Sequence, residues 1–298
     1  MVLQFNLFEM KIKISILIVF AMLSSISLSL KAQLNPFQAQ YYTNRYLGNA
    51  AMAGIDKGLT LGAIYRSQFN NFPGAPISQN FTANYGYNKV GIGLNVTNEK
   101  AGLQRFTRAL ASYAYHLKLN DASTMHFGIS AGVVNQRLES GDVVGNSNDN
   151  LVGLYNQRPT HFDGDFGLAL TTERFSVEVA LPNLRNLLWQ SNGNIANLPT
   201  YYSAISYKIP IQDAELEPKL VYRGIKGYDN IWDAGAQLSL IQKQVQLNGI
   251  YHSSGNASFG IGMDYQNKYL ITLSHTTQIN TLSNYSNGDF ELNLRVKF

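Results

Sequence analysis

From Gly58 onward, apolar and polar residues alternate for about ten positions, a turn follows, and the alternation resumes. A period of two is that of a β-strand with one apolar and one polar face. In 58–69, Leu59, Leu61, Ala63 and Tyr65 share a face. In 108–119, Ala109, Ala111, Tyr113, Tyr115, Leu117 and Leu119 do so. In 124–134, Met125, Phe127, Ile129, Ala131 and Val133 oppose His126, Gly128, Ser130 and Gly132. Further runs fall at 80–87, 89–98, 165–172, 174–181, 201–209, 215–223, 231–240, 244–252, 257–265, 268–276 and 289–298, about fourteen in all. The last sets Leu292, Leu294, Val296 and Phe298 against Glu291, Asn293, Arg295 and Lys297.

Two architectures share this pattern. A secreted antiparallel sandwich has one wet face. A transmembrane barrel has lipid outside and water inside. Tyr and Phe gather near the strand ends, an export signal precedes the strands, and the terminal Phe298 is of the kind that barrel-assembly machinery reads. The pattern therefore predicts an all-β chain: a transmembrane antiparallel β-barrel of about 14 strands in the outer membrane. An open edge in lipid leaves backbone groups unpaired, so 289–298 must close on 58–69. Glu178, Glu215, Glu217, Lys219, Arg223, Glu291, Arg295 and Lys297 then point into the lumen. The polar linkers 138–161 and 182–199 become extracellular loops.

The amino-terminal run adds an address. Residues 11–33 carry Lys11 and Lys13, then an apolar stretch, then Ala32 before Gln33, the layout of a secretory signal peptide. A retained anchor is the other reading, but the stretch is short for a span and broken by serines. Met10 also fits as a start. The chain divides into a signal peptide at 1–32, a segment at 33–57 read as a plug in the lumen or at its periplasmic mouth, and a barrel at 58–298. The expected home is the outer membrane of a Gram-negative bacterium, after cleavage near Ala32. Cleavage removes three lysines and Glu9, lowering the net charge from +4 to +2.

Composition agrees. Only 14% of residues are charged, against roughly 25% in ordinary globular chains. Mean hydropathy is only −0.13, so the polarity comes from amides, hydroxyls, 18 Tyr and 25 Gly. No basic run suits nucleic acid. Without cysteine there are no disulfides, thiolate metal sites or cysteine nucleophiles.

Chemistry-bearing patterns are sparse. His116, His126, His161, His252 and His275 have no metal-ligand spacing and read as wet or interface side chains. There is no nucleophile elbow and no phosphate-binding loop. The Gly-Ile-Gly triplets at 91–93 and 260–262 lie mid-strand, where close packing or lumen width explains them. Asp163 and Asp165 could form an acid/base pair but read better as a turn with two solvated carboxylates. Residues 141–150 could hold calcium through Asp142 and Asp149, but lack the spacing of a known loop and read as surface. No catalytic residue, cofactor, metal or small-molecule substrate is expected.

Four stretches in order resemble the PorP/SprF family of type IX secretion system membrane proteins. QYYTNRYLGNAAMAGI (40–55) is similar to the family's amino-terminal segment at Asn49, Ala51, Ala53 and Gly54, with Ala50 where proline is common. YRSQFNNFPGAPIS (65–78) matches at Arg66, Gln68, Gly74, Ala75 and Pro76, with Phe69 replacing tryptophan. Residues 90–119 resemble a strand, an acidic-glycine turn at Gly102, and a Tyr-Ala-Tyr strand. The end, NGDFELNLRVKF, places Glu291 before the closing strand. The resemblance implies a barrel serving type IX secretion and gliding motility. Its implied partners are outer-membrane lipid, the carboxy-terminal domain of a secreted adhesin and other type IX components. The expected function is docking without chemistry. A passive solute channel is the alternative, and an outer-membrane lipase or protease is third, lacking a Ser/His/Asp set.

Overall fold

A computed structural model describes residues 38–69, 74–139, 153, 155–157, 159–188, 200–225, 230–278 and 287–298. The signal peptide and the 141–150 loop with Asp142 and Asp149 lie outside the described residues.

The alternating runs form β1 (Gly58–Ser67), β2 (Ile77–Tyr87), β3 (Val90–Ala101), β4 (Gln104–Lys118), β5 (Ser123–Leu138), β6 (His161–Thr172) and β7 (Phe175–Leu181). After a short helix α1 (Leu184–Leu188) come β8 (Thr200–Tyr207), β9 (Ile209–Ile211), β10 (Ala214–Ile225), β11 (Ile231–Leu240), β12 (Val245–His252), β13 (Asn256–Tyr265), β14 (Tyr269–Thr276) and β15 (Asp289–Lys297). β9 continues β8 beyond Lys208, and both pair with β10. Each strand pairs antiparallel with its neighbour, and the barrel of 14 wall strands is closed.

The seam is the expected one. β15 pairs with β1 in the register Ala63↔Leu294 and Arg66↔Glu291. The Phe298 amide continues the ladder, donating to the Leu59 carbonyl at 2.8 Å.

Burial is inverted relative to a soluble sheet. Tyr65, Phe81, Ile92, Tyr113, Ile129, Ile261, Leu273 and Leu294 are exposed, while Thr82, Asn84, Ser112, Ser130, Glu178, Lys219, Arg223 and Asn293 are buried. A barrel in lipid demands that arrangement. No helix among the described residues is long and apolar enough to cross a membrane.

Fourteen strands return the chain to the end where it began. Gly58, the carboxy-terminus and the short turns at 88–89, 119–122, 173–174, 212–213, 241–244 and 266–268 share that end. The long connections 139–160, 182–199 and 277–288 share the other. Barrels of this class keep short turns in the periplasm and long loops outside, which orients the molecule.

The strand ends differ from the alternation at the outer rim. β4 and β5 reach 15 and 16 residues. Their upper thirds carry Arg105, Asn135 and Arg137 on the outward face, where hydrocarbon has ended and the apolar signal stops. β6 likewise starts at His161, four residues before the run beginning at Asp165.

Candidate functional site: the lumen and the segment within it

Residues 38–57 are short of strand signals and rich in caps. They form three single-turn 3-10 helices at Gln38–Gln40, Arg45–Leu47 and Ala50–Met52. Asn44 and Asn49 cap the second and third by accepting from the amides of Leu47 and Ala51. Ala51, Met52 and Ala53 have at most 1% exposure. They cluster with Tyr46, Ala114 and Ala169, the last two on lumen faces of β4 and β6.

Glycines on the wall leave room for this segment. A Cβ at Gly128 would stand 2.2 Å from the Ala51 nitrogen, one at Gly167 2.0 Å from Asn49 Oδ1, and one at Gly91 1.9 Å from the Ala53 oxygen. Gly54 then turns the chain toward β1 with φ +64, against the backbones of Gly86 and Gly91.

Polar contacts bind the segment to opposite sides of the wall. On β15, Glu291 accepts from Gln40 Nε2. Beside it, Arg66 on β1 pairs with Asp289 at 2.6 Å, with both side chains at most 3% exposed. On β11, Asp233 accepts from the Tyr41 hydroxyl at 2.5 Å and from Arg223 at 2.9 Å. His252 Nδ1 lies 2.8 Å from its other oxygen. Lys219 on β10 donates to the Tyr41 carbonyl at 2.6 Å. Arg45 meets Glu178 on β7 at 2.8 Å, and Lys219 approaches the same carboxylate at 3.9 Å. Tyr46 shares a hydrogen bond of 2.7 Å with Ser112. Asn49 Nδ2 donates to the carbonyls of Leu168 at 3.1 Å and Val179 at 3.4 Å. Burial pushes the Tyr41 phenol well above its ordinary range and that of Tyr46 up to about 12.

Two expectations are corrected. Asp163 and Asp165 are not solvated turn residues. Both lie on the lumen face of β6 beside Arg108, which reaches them at 3.0 and 2.6 Å. They also accept from the amides of Arg185 and Asn183, tying α1 to the wall. Their spacing from Gly167 put them on the lumen face, but Gly164 between them suggested a turn. The second correction concerns the histidines. His116, His126 and His252 are buried, and His116 faces both His126, at 2.7 Å, and the Ala53 carbonyl, at 3.1 Å. Their side-chain partners stand on neighbouring strands, and His116 also reaches the inner segment at Ala53. Among the described residues no cluster could hold a metal ion.

The family-motif positions gather in two places. Asn49, Ala51, Ala53, Gly54, Arg66 and Glu291 line or fill the lumen. Gly74 and Gly102, with φ +74 and +56, meet at the outer rim, where the Gly102 amide donates to the Gly74 carbonyl at 2.8 Å. There Gln68 donates its amide to the Pro76 carbonyl at 2.9 Å, with Ala75 between the two contacts. Phe298 stands apart, 71% exposed at the periplasmic end. The sequence reading did not single out Tyr41, Arg45 or Asp233, whose partners lie on strands far away along the chain.

A family model described as "Type IX secretion system membrane protein PorP/SprF" matches residues 30–296. The chain belongs to the PorP/SprF family. No curated protein sequence matches it. Among solved structures it is similar to the Ralstonia pickettii toluene transporter TbuX, at 12% identity and TM-score 0.53, covering 85% of this chain and 92% of that one. It is also similar to the CymD monoaromatic hydrocarbon channel, at 12% identity and TM-score 0.52, covering 89% and 94%. At that identity the likeness shows the fold alone. A PorP/SprF member with an outer-membrane barrel is thus the frame for the lumen geometry.

Proposed function

We propose that this PorP/SprF barrel is a non-enzymatic docking component of the type IX machinery, holding a secreted adhesin for export or surface attachment. The observation that carries this reading is the occupied lumen. Residues 38–54 act as a plug, held by hydrogen bonds to β10, β11 and β15 and by the Arg45–Glu178 ion pair to β7. A plugged lumen suits a receptor better than a passive conduit. Among the described residues, Glu178, Asp289, Asp163, Asp165 and Asp233 are engaged by Arg45, Arg66, Arg108 and Arg223, which suits a structural lining. The partner is expected to engage the outer rim, where the Gly74–Gly102 contact and α1 stand, or the periplasmic mouth.

The test is a tagged pull-down of the intact chain from native outer membranes in mild detergent, paired with single-channel recording. Recovery of a large adhesin or type IX components, with little steady current, supports docking. Recovery of the barrel alone, with steady open conductance, supports the channel reading suggested by the hydrocarbon-channel neighbour and would falsify the docking proposal.

A further inference from the structure

The outward wall carries a feature that neither the lumen nor the secretion role uses. Register stacks the outward residues of β3, β4 and β5 in rows. The row Val96, Ala109 and Val133 is apolar, and Phe162 of β6 extends it. One row higher stand Asn98, Thr107 and Asn135. The next row is Lys100, Arg105 and Arg137, three cations side by side on adjacent strands. Each row climbs two residues, so the cationic row sits roughly 10 Å above the last apolar row after strand tilt. That is headgroup height, on the side of the long loops and thus the outer leaflet.

Like charges directly opposite each other destabilise a sheet. Among the described residues Glu139 offsets part of this charge, meeting Arg105 at 2.6 Å and Lys100 at 3.9 Å. Arg137 is exposed and has no hydrogen-bond or ion-pair partner among the described residues. The exposed Arg137 side chain is left open to an anion.

A second observation lies just below. A groove of about 380 Å³ opens on the outer wall across β15, β1, β2 and β3. Ala63, Phe81, Val96, Leu292 and Leu294 give it an apolar floor. Gln79 and Asn98 stand at its upper edge, one row beneath Lys100. An apolar trough under an amide edge, with cations above and beside it, has the polarity profile of a phosphorylated lipid.

We propose that this wall is a binding site for a phosphorylated glycolipid of the outer leaflet. Arg105, Arg137 and Lys100 take the phosphate, and an acyl chain lies in the groove over Ala63. Arginine suits the phosphate because its planar donors can bind it in pairs.

Native mass spectrometry of the full chain, purified from outer membranes in mild detergent, tests the site. The wild type is expected to retain phosphorylated glycolipid. Arg105→Gln with Arg137→Gln should lower its occupancy at least tenfold, and Ala63→Trp, which fills the groove, should lower it separately. Heat-modifiable gel mobility confirms that each variant is folded. If the double variant does not fold, Arg137→Gln alone serves, because that side chain is exposed and unpaired. Re-addition of the extracted glycolipid, of its enzymatically dephosphorylated form and of inorganic phosphate separates the sources. Preference for the phosphorylated lipid supports the site. Equal retention by wild type and variants overturns it, as does equal binding of the dephosphorylated lipid or binding of inorganic phosphate alone.

Discussion

Arg66 shows how a lumen residue holds this fold. It is 1% exposed, pairs with Asp289 at 2.6 Å and lies opposite Glu291 across the seam. Removing one partner of a buried pair leaves the other charge uncompensated, a cost of about 3–5 kcal/mol. Arg66→Ala is therefore expected to lower stability by about that much in denaturant unfolding followed by tryptophan fluorescence. Arg66→Ala with Asp289→Ala should recover part of the loss. The tyrosines of the interior segment give a pH signature. Tyr41 and Tyr46 are held neutral by burial, Tyr46 with a phenol raised from 10.0 to about 12. Raised phenols leave stability intact below pH 10 and withdraw it as pH climbs toward 12, because the unfolded chain ionises first. An ultraviolet titration should show a late-ionising tyrosine fraction, and Tyr46→Phe should shrink it. A late-ionising fraction unchanged in Tyr46→Phe would count against the buried placement. The sequence showed that Arg66 and Glu291 were polar positions inside an apolar pattern. It joined their two strands at the seam but not their register, which sets Arg66 opposite Glu291.

At the scale of elements, the barrel was legible because each strand advertises two faces. All fourteen alternating runs became wall strands, and the seam joined 58–69 to 289–298. Boundaries were legible only where lipid faces the outward side. Above Val133 the outward residues turn polar and β5 continues unseen to Leu138; beside it β6 begins early, which hid Asp163. The interior segment was legible in composition but not in contacts, since the glycines that receive it are spread over several strands. Gly128 tests that reception. Its added Cβ would meet the Ala51 backbone, which cannot yield as a flexible side chain can. Gly128→Val is expected to leave a folded, heat-modifiable barrel while exposing residues 38–54 to limited proteolysis. An equally protected segment would show that the lumen adapts around the valine. At the opposite end of the chain, deleting Phe298 removes an exposed aromatic while losing one ladder bond to Leu59. Folded stability should fall by only about 1 kcal/mol. If Phe298 is an assembly signal, the amount of protein in the outer membrane should fall severalfold, a mismatch that separates recognition from stability.

At the scale of the whole molecule, the question is what the occupied lumen is for. Closure already satisfies every wall strand, so the barrel does not need residues 38–54 to complete its sheet. Yet the segment supplies partners to Glu178, Asp233 and Glu291, and without it these carboxylates face an open polar lumen. Water can solvate them there, so removal should cost far less than the loss of a dry buried pair. A chain lacking residues 38–54, with its export signal retained, is therefore expected to assemble in the outer membrane and to conduct ions. The surplus of acceptors left in the lumen should favour cations over anions. Single-channel recording at asymmetric salt measures both the current and its selectivity. The same variant in the pull-down then decides between two roles for the segment. Conductance with undiminished adhesin recovery makes it a seal, with the partner held at the rim. Conductance with lost recovery makes it part of the receptor. A variant that assembles and stays closed would show that the wall side chains themselves fill the lumen, and the plug assignment would fall.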